Sequence, residues 1–324
     1  MQLRKGIGVL LAVLCLSFSV SVYGDSDKND VNKIGDRNIA HKSIISTEKE
    51  IAIGRQYADQ IDKTAKLVKD PVVTEYVNRI AQNIARNSDL KVPLTVKIID
   101  AAEINAFALP GGFLYVNTGT ITAADNESAL AGVMAHEIAH VAARHWASQM
   151  TKATLLQYAT IPLIFVPMSY PVYIGVSQAL NFGVPIAFLK FSRNDEAEAD
   201  YLGLQYMYKA GYDPNAYAAF FGKVLEEERR QPGSVDKIFA DHPPTPERII
   251  QAEEEIQKLP PRDQYLLSTS EFDDVKSRLN TVAASLKKNT KPGPSLDRQP
   301  DKTSTQTPPS DQDDDKPPVL KRKD

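Results

Sequence analysis

Cysteine is almost missing from this 324-residue chain: the single one, Cys15, falls in the first two dozen residues, so the rest has no means of building a disulfide framework. A surplus of either charge is missing too. The 38 basic and 41 acidic side chains leave a net charge of -3, and no basic arm stands out, which argues against nucleic acid as a partner. Internal repeats are absent, which excludes a repeat array. An unbroken apolar span is absent from the middle of the chain. Residues 153–189 carry no charge, but Pro162, Pro167, Pro171 and Pro185 cut them into pieces shorter than the roughly 20 residues of a membrane-crossing helix. They are expected to form an apolar helical hairpin or lid over a cleft, with peripheral membrane contact as a second use of the same surface.

The two ends differ from the middle. Arg4 and Lys5 precede an apolar run from Ile7 to Val22, and Val22 and Gly24 suit the minus-three and minus-one positions of a cleavage site, so residues 1–24 are expected to be a signal peptide. A retained N-terminal anchor is the rival reading, disfavoured by the shortness of the run. Leu14 before Cys15 does not suit lipidation. Residues 25–46 read as a linker. Residues 288–324 hold seven of the 21 prolines with few large apolar side chains, and are expected to be a disordered tail.

Between them, residues 47–287 carry the periodicities of one folded domain. Thr47 to Glu50 resembles a capping box ahead of Ile53, Tyr57, Ile61, Ala65 and Val68 at helical spacing. Asp70-Pro71 offers an N-cap and an N1 proline for a helix with Val73, Val77, Ile80 and Ile84 on one face. Leu94, Val96 and Ile98 alternate with polar residues as a half-buried strand, and a second strand is expected from Phe113 to Thr118. Asn105 to Gly112 reads as the turn between them. It is either an ordinary hairpin turn or the place where an edge strand receives an extended peptide.

His136-Glu137-Ile138-Ala139-His140 lies in an Ala- and Leu-rich helix with Asp125 or Asn126 as N-cap, expected to continue to about Ser148. Four helical residues turn the chain by about 400°, so the two imidazoles share one face and can bind one tetrahedral ion. Glu137 is one step round, within reach of a water on that ion, where a general base belongs. Two histidines leave a catalytic zinc one protein ligand short. Glu196 and Asp200, at i and i+4 of another helix, can supply it, one binding while the other orients a ligand histidine. Glu198 is expected to point to solvent. His145 lies about 140° round the helix from His140 with no glycine to turn the chain back, so it is expected to be paired on the outer face. His242 heads a proline-rich turn where Thr245 and Pro246 open a further helix. It could polarise a tetrahedral intermediate, add a reversible fourth ligand, or merely cap the turn. His41 is given no role.

Taken together, His136-Glu137-x-x-His140, Glu196-x-x-x-Asp200, the Asn105-to-Gly112 turn and His242-Pro243-x-Thr245-x-x-Arg248 resemble, over roughly Thr47 to Lys258, the zinc metallopeptidase family of HtpX, BepA, LoiP, the mitochondrial OMA protease and the CAAX prenyl protease. The resemblance implies a zincin-like gluzincin fold, mainly α with a small β-sheet (α+β), its active-site helix beside an edge strand. It implies one zinc per chain held by His136, His140 and Glu196, with Glu137 as base and His242 steadying the oxyanion. Asp200 and Arg248 would orient the ligands, and Asn105, Gly111, Gly112 and Phe113 would receive substrate. It also implies endopeptidase action on misfolded or membrane-associated envelope proteins, in a layout closest to the periplasmic, signal-bearing members. The chain lacks the long tetratricopeptide region of BepA and the several spanning helices of HtpX, which sets outer-membrane scaffolding and integral-membrane activity aside. The competing function is a zinc-containing envelope chaperone or binding protein whose metal stays shut away.

Overall fold

In the computed structural model, residues 30–164, 191–230 and 242–289 are described. The signal-peptide and Cys15 readings, most of the expected lid and nearly all of the tail therefore lie outside the described residues. The chain divides into two units, Met1–Ala283 and Ala284–Asp324, and the first carries the folded domain.

Helices α1 (Thr47–Thr64) and α2 (Pro71–Arg86) come first, and each starts on a side-chain cap. Asp70 accepts from the Val72 and Val73 amides, with Pro71 at a position that has no amide to satisfy, as its sequence indicates. The cap of α1 is Ser46, one residue before the expected Thr47, which frees Glu50 for another use. Three short strands follow: β1 (Thr95–Ile99), β2 (Ala106–Leu109) and β3 (Phe113–Asn117), in sheet order β1-β3-β2. β3 pairs parallel to β1 and antiparallel to β2, so β2 is an edge strand. The stretch expected to be turn throughout is thus strand as far as Leu109. The turn itself is carried by Gly111 and Gly112, whose φ values are +76° and +93°. A Cβ on Gly111 would stand 2.5 Å from Ile51 Cα, and one on Gly112 2.4 Å from the Pro93 carbonyl, so the turn is wedged against α1 and the loop before β1.

After α3 (Thr118–Ala123), Asn126 caps the central helix α4 (Glu127–Ala143). α4 is buried on nearly every side, which explains why it is rich in small and apolar residues without an amphipathic stripe. It packs on α2, β2, α6 (Arg193–Ala210) and α7 (Asn215–Arg230). Gly203 of α6 permits a close approach of the two backbones: a Cβ there would lie 3.2 Å from the His136 Cα. Helices α8 (Pro246–Lys258), capped by Thr245, and α9 (Ser270–Asn289) complete the layer, with Ala252, Phe272, Val275 and Leu279 in the core. The mainly helical α+β architecture with its small sheet is the one expected.

Two further expectations need correcting. The central helix does not run on to Ser148. Arg144 sits in the left-handed region at φ +58°, ψ +38°, and a new helix α5 (His145–Ile164) begins at once. That conformation costs a non-glycine residue about 1–2 kcal/mol, and it is offset by anchoring: Arg144 donates through Nε to Glu50 at 2.6 Å and through Nη2 to the Ile45 carbonyl at 2.6 Å. The second correction concerns residues 30–46. They are bound to the domain, not a free linker: Val31, Ile34 and Ile39 enter the core, and Arg37 forms a buried ion pair with Asp89 at 2.5 Å and a bond to Gln205. The amide of His41 donates to the last carbonyl of α4, Ala143. Among the described residues no helix is long and apolar enough to cross a membrane.

Candidate metal centre

His136 and His140 project from one face of α4 with their Nε2 atoms 3.1 Å apart. α6 brings Glu196 against them, Oε2 lying 3.5 Å from His136 Nε2 and Oε1 3.6 Å from His140 Nε2. His242 closes the group, with Nδ1 3.5 Å from His136 Nε2 and 2.8 Å from Glu196 Oε1. All four side chains are buried, and their donor atoms lie within 4.8 Å of one another. Ligands of a tetrahedral zinc at about 2.0–2.1 Å stand about 3.3 Å apart. Apart from the shorter His242–Glu196 contact, the quoted separations bracket that value, so imidazole and carboxylate donors of this kind fit a zinc-sized cation.

The electrostatics favour positive charge at the centre. Burial opposes the charged form of His136, but Asp200 and Glu196 outweigh it and raise its pKa to about 9. Burial and the neighbouring His136 and His242 push His140 the other way, well below the ordinary histidine value. Glu196 stays ionised, since His242 and His136 overcome the burial that would raise it. Glu137 is raised by burial. Its Oε2 accepts from the Ala108 amide at 3.0 Å, while its Oε1 has no hydrogen-bond partner among the described residues and lies 3.7 Å from His242 Nε2. A buried carboxylate oxygen left unpaired beside a donor cluster is the signature of a group kept for chemistry.

Asp200 stands behind His136, with Oδ1 2.9 Å from the ring Nδ1. Arg248 holds Asp200 in a two-pronged pair at 2.6 and 2.7 Å, and its Nη1 lies 2.8 Å from Glu196 Oε2, off the line of a hydrogen bond. Burial would raise Asp200, yet Arg248 and His136 bring it down to about 2. Tyr217, which nothing in the sequence singled out, donates its hydroxyl to Asp200. Phe191, equally unsignalled, stacks over His140 with ring centroids 4.2 Å apart.

The expected substrate residues divide. A cleft runs from His140 past Phe191 and Trp146 to Ala108, Leu109, Pro110 and Gly111. Gly111 therefore borders it. Gly112 packs on Pro93, Phe113 is buried with Ala58, Leu109 and Tyr115, and the Asn105 carbonyl is occupied by Asn117 and Thr120. The readings of Glu198 and His145 are overturned. His145 is fully buried, turned inward by the break at Arg144, with Nδ1 2.8 Å from His140 Nδ1. Glu198 is partly buried between His145, at 3.4 Å, and His41, at 2.6 Å.

Residues 71–256 match peptidase family M48, which spans more than half of the chain and every donor of the cluster. The chain belongs to this family. Among its M48 relatives, the β-barrel assembly-enhancing protease of Escherichia coli strain K12 is 29% identical over 285 residues, 86% of this chain and 57% of that protein. The corresponding protein of Yersinia pestis is 30% identical over 224 residues, 67% of this chain and 46% of that protein. The mitochondrial metalloendopeptidase OMA1 of Schizosaccharomyces pombe is 36% identical over 185 residues, 56% of this chain and 52% of that protein. The chain thus spans about half the length of the relatives it matches.

Proposed function

We propose that this chain is a zinc-dependent endopeptidase that hydrolyses peptide bonds of misfolded or membrane-associated proteins in the cell envelope, with one zinc ion per chain. The observation that carries the proposal is the unpaired Glu137 Oε1 facing the cluster of His136, His140, Glu196 and His242. Bound zinc would activate a water for attack and polarise the scissile carbonyl. Glu137 takes the proton from the water on Oε1 and passes it to the leaving amine nitrogen, while the Ala108 amide fixes Oε2. Asp200, itself clamped by Arg248 and Tyr217, sets the ring of His136. The edge strand β2 lies along the cleft and suits an extended segment added as a further strand.

The two ring nitrogens of His242 face Glu196 and Glu137, so it can serve as a fourth donor in a resting form or, once moved aside, steady the oxyanion. A relative's name refers to β-barrel assembly, which together with the signal-like residues 1–24 supports periplasmic protein substrates; residues 153–189 supply the peripheral membrane contact.

The test is Glu137→Gln in the full chain. It is expected to retain stoichiometric zinc and lose cleavage of unfolded casein by at least about 10³-fold, since Glu137 is the carboxylate placed to move the proton. Cleavage that survives the change, or a wild-type chain that holds zinc but cleaves no unfolded protein, defeats the proposal. His242→Ala separates the two roles: a rise in turnover marks the resting-form donor, a fall marks oxyanion support.

A further inference from the structure

Behind His140 runs a second polar chain that peptide hydrolysis leaves unused. His145 Nδ1 is 2.8 Å from His140 Nδ1, His145 Nε2 is 3.4 Å from Glu198 Oε2, and the same carboxylate oxygen is 2.6 Å from His41 Nε2. The three side chains come from separate places in the sequence: the first residue of α5, the second turn of α6, and the segment laid over the end of α4. His145 is fully buried, while Glu198 and His41 reach toward solvent at 23% and 31% side-chain exposure.

Proton positions along this chain follow from the inner site. His140 turns Nε2 toward the other donors, so a lone pair used there leaves its one proton on Nδ1. Among the described residues that proton meets His145 Nδ1, which then accepts through its lone pair and leaves the His145 proton on Nε2, aimed at Glu198. His136 has a carboxylate directly behind it, Asp200; His140 has one at the far end of an imidazole. We propose that His145, Glu198 and His41 are positioning residues that fix the tautomer and ring angle of His140 and so set how firmly the centre holds its cation. This rests on the reading of His140 as a zinc ligand.

The same three side chains place their donor atoms within 4.8 Å, a set that could itself take a cation. The proton order opposes that use. A cation on His145 Nε2 would move the ring proton to Nδ1 and set two N–H groups against each other at 2.8 Å. Filling the inner site therefore closes the outer one.

The test measures zinc content and the rate of zinc transfer to a chromophoric chelator for the full chain, with the visible spectrum of the cobalt-substituted protein as a second readout. His145→Ala is expected to keep one zinc per chain and release it about 10- to 100-fold faster, with an altered cobalt spectrum. His145→Asn, whose amide oxygen can accept from His140, is expected to recover part of the loss. Glu198→Ala, partly exposed and free of the folding risk of a buried site, is expected to quicken release several-fold. Unchanged release and spectrum in both alanine variants overturn the proposal. So does a wild-type chain that binds two zinc ions and loses one on His41→Ala. A wild-type chain that binds none overturns the metal centre and the positioning chain together, which separates the two failures.

Discussion

The two histidines of the H-E-x-x-H helix are supported in different ways. Behind His136 stands a buried carboxylate with its own counter-charge: Asp200 touches the ring, Arg248 grips Asp200, and the Tyr217 hydroxyl donates to it. Behind His140 the contact is another imidazole, His145, and a carboxylate stands one residue further out at Glu198, partly exposed. The contrast has a physical basis. A carboxylate deep in the domain needs a full counter-charge, and Arg248 supplies it to Asp200. At the outer edge, solvent shares the burden of Glu198, so a histidine and a surface histidine suffice.

The sharpest way to break this comparison is Arg248→Ala, which strands two buried carboxylates. It is expected to cost about 3–5 kcal/mol of stability in urea unfolding, against at most about 1 kcal/mol for Glu198→Ala; equal losses would erase the distinction. Next comes acid. Asp200 is depressed from 3.8 to about 2 in the folded chain, so the unfolded chain takes up the proton first as pH falls. Its stabilising contribution is complete above pH 3.8 and is lost as pH drops toward 2. The gap in unfolding midpoint between wild type and Asp200→Asn should therefore shrink across that window and be constant above it. Tyr217→Phe removes one donor to the same carboxylate and is expected to cost about 1–2 kcal/mol, read by the same unfolding curves. The smallest effect is expected from His41→Ala, with a change in thermal midpoint close to the error of measurement, because both partners are partly exposed.

Much of the inner side was legible in the sequence. Spacing put His136 and His140 on one face, an i,i+4 carboxylate pair offered the missing ligand, and Asp70-Pro71 and Thr245-Pro246 announced their helices. The outer side was not legible, for one local reason. Continuing α4 through Arg144 with ideal helical geometry throws His145 outward, and only a left-handed arginine tied down by Glu50 and Ile45 turns it in. No propensity rule points to an arginine there. Strand β2 escaped for a similar reason. Four residues beside two glycines resemble turn until β3 supplies the ladder. The segment 30–46 looked like linker because its scattered apolar residues make no periodic face, yet Val31, Ile34 and Ile39 find places in the core.

By itself, then, the sequence determined the chemistry available: which donors exist, which two share a helix face, and that an acid stands beside them. These follow from the 3.6-residue repeat and from side-chain type, both local properties. Which carboxylate, 56 positions beyond His140, completes the set, which tyrosine and arginine steady it, and where His145 turns were decided by packing α6 and α7 onto α4. Those choices depend on how closely two backbones approach at Gly203 and on a single dihedral at Arg144, and distances of that kind exist only once the chain is folded.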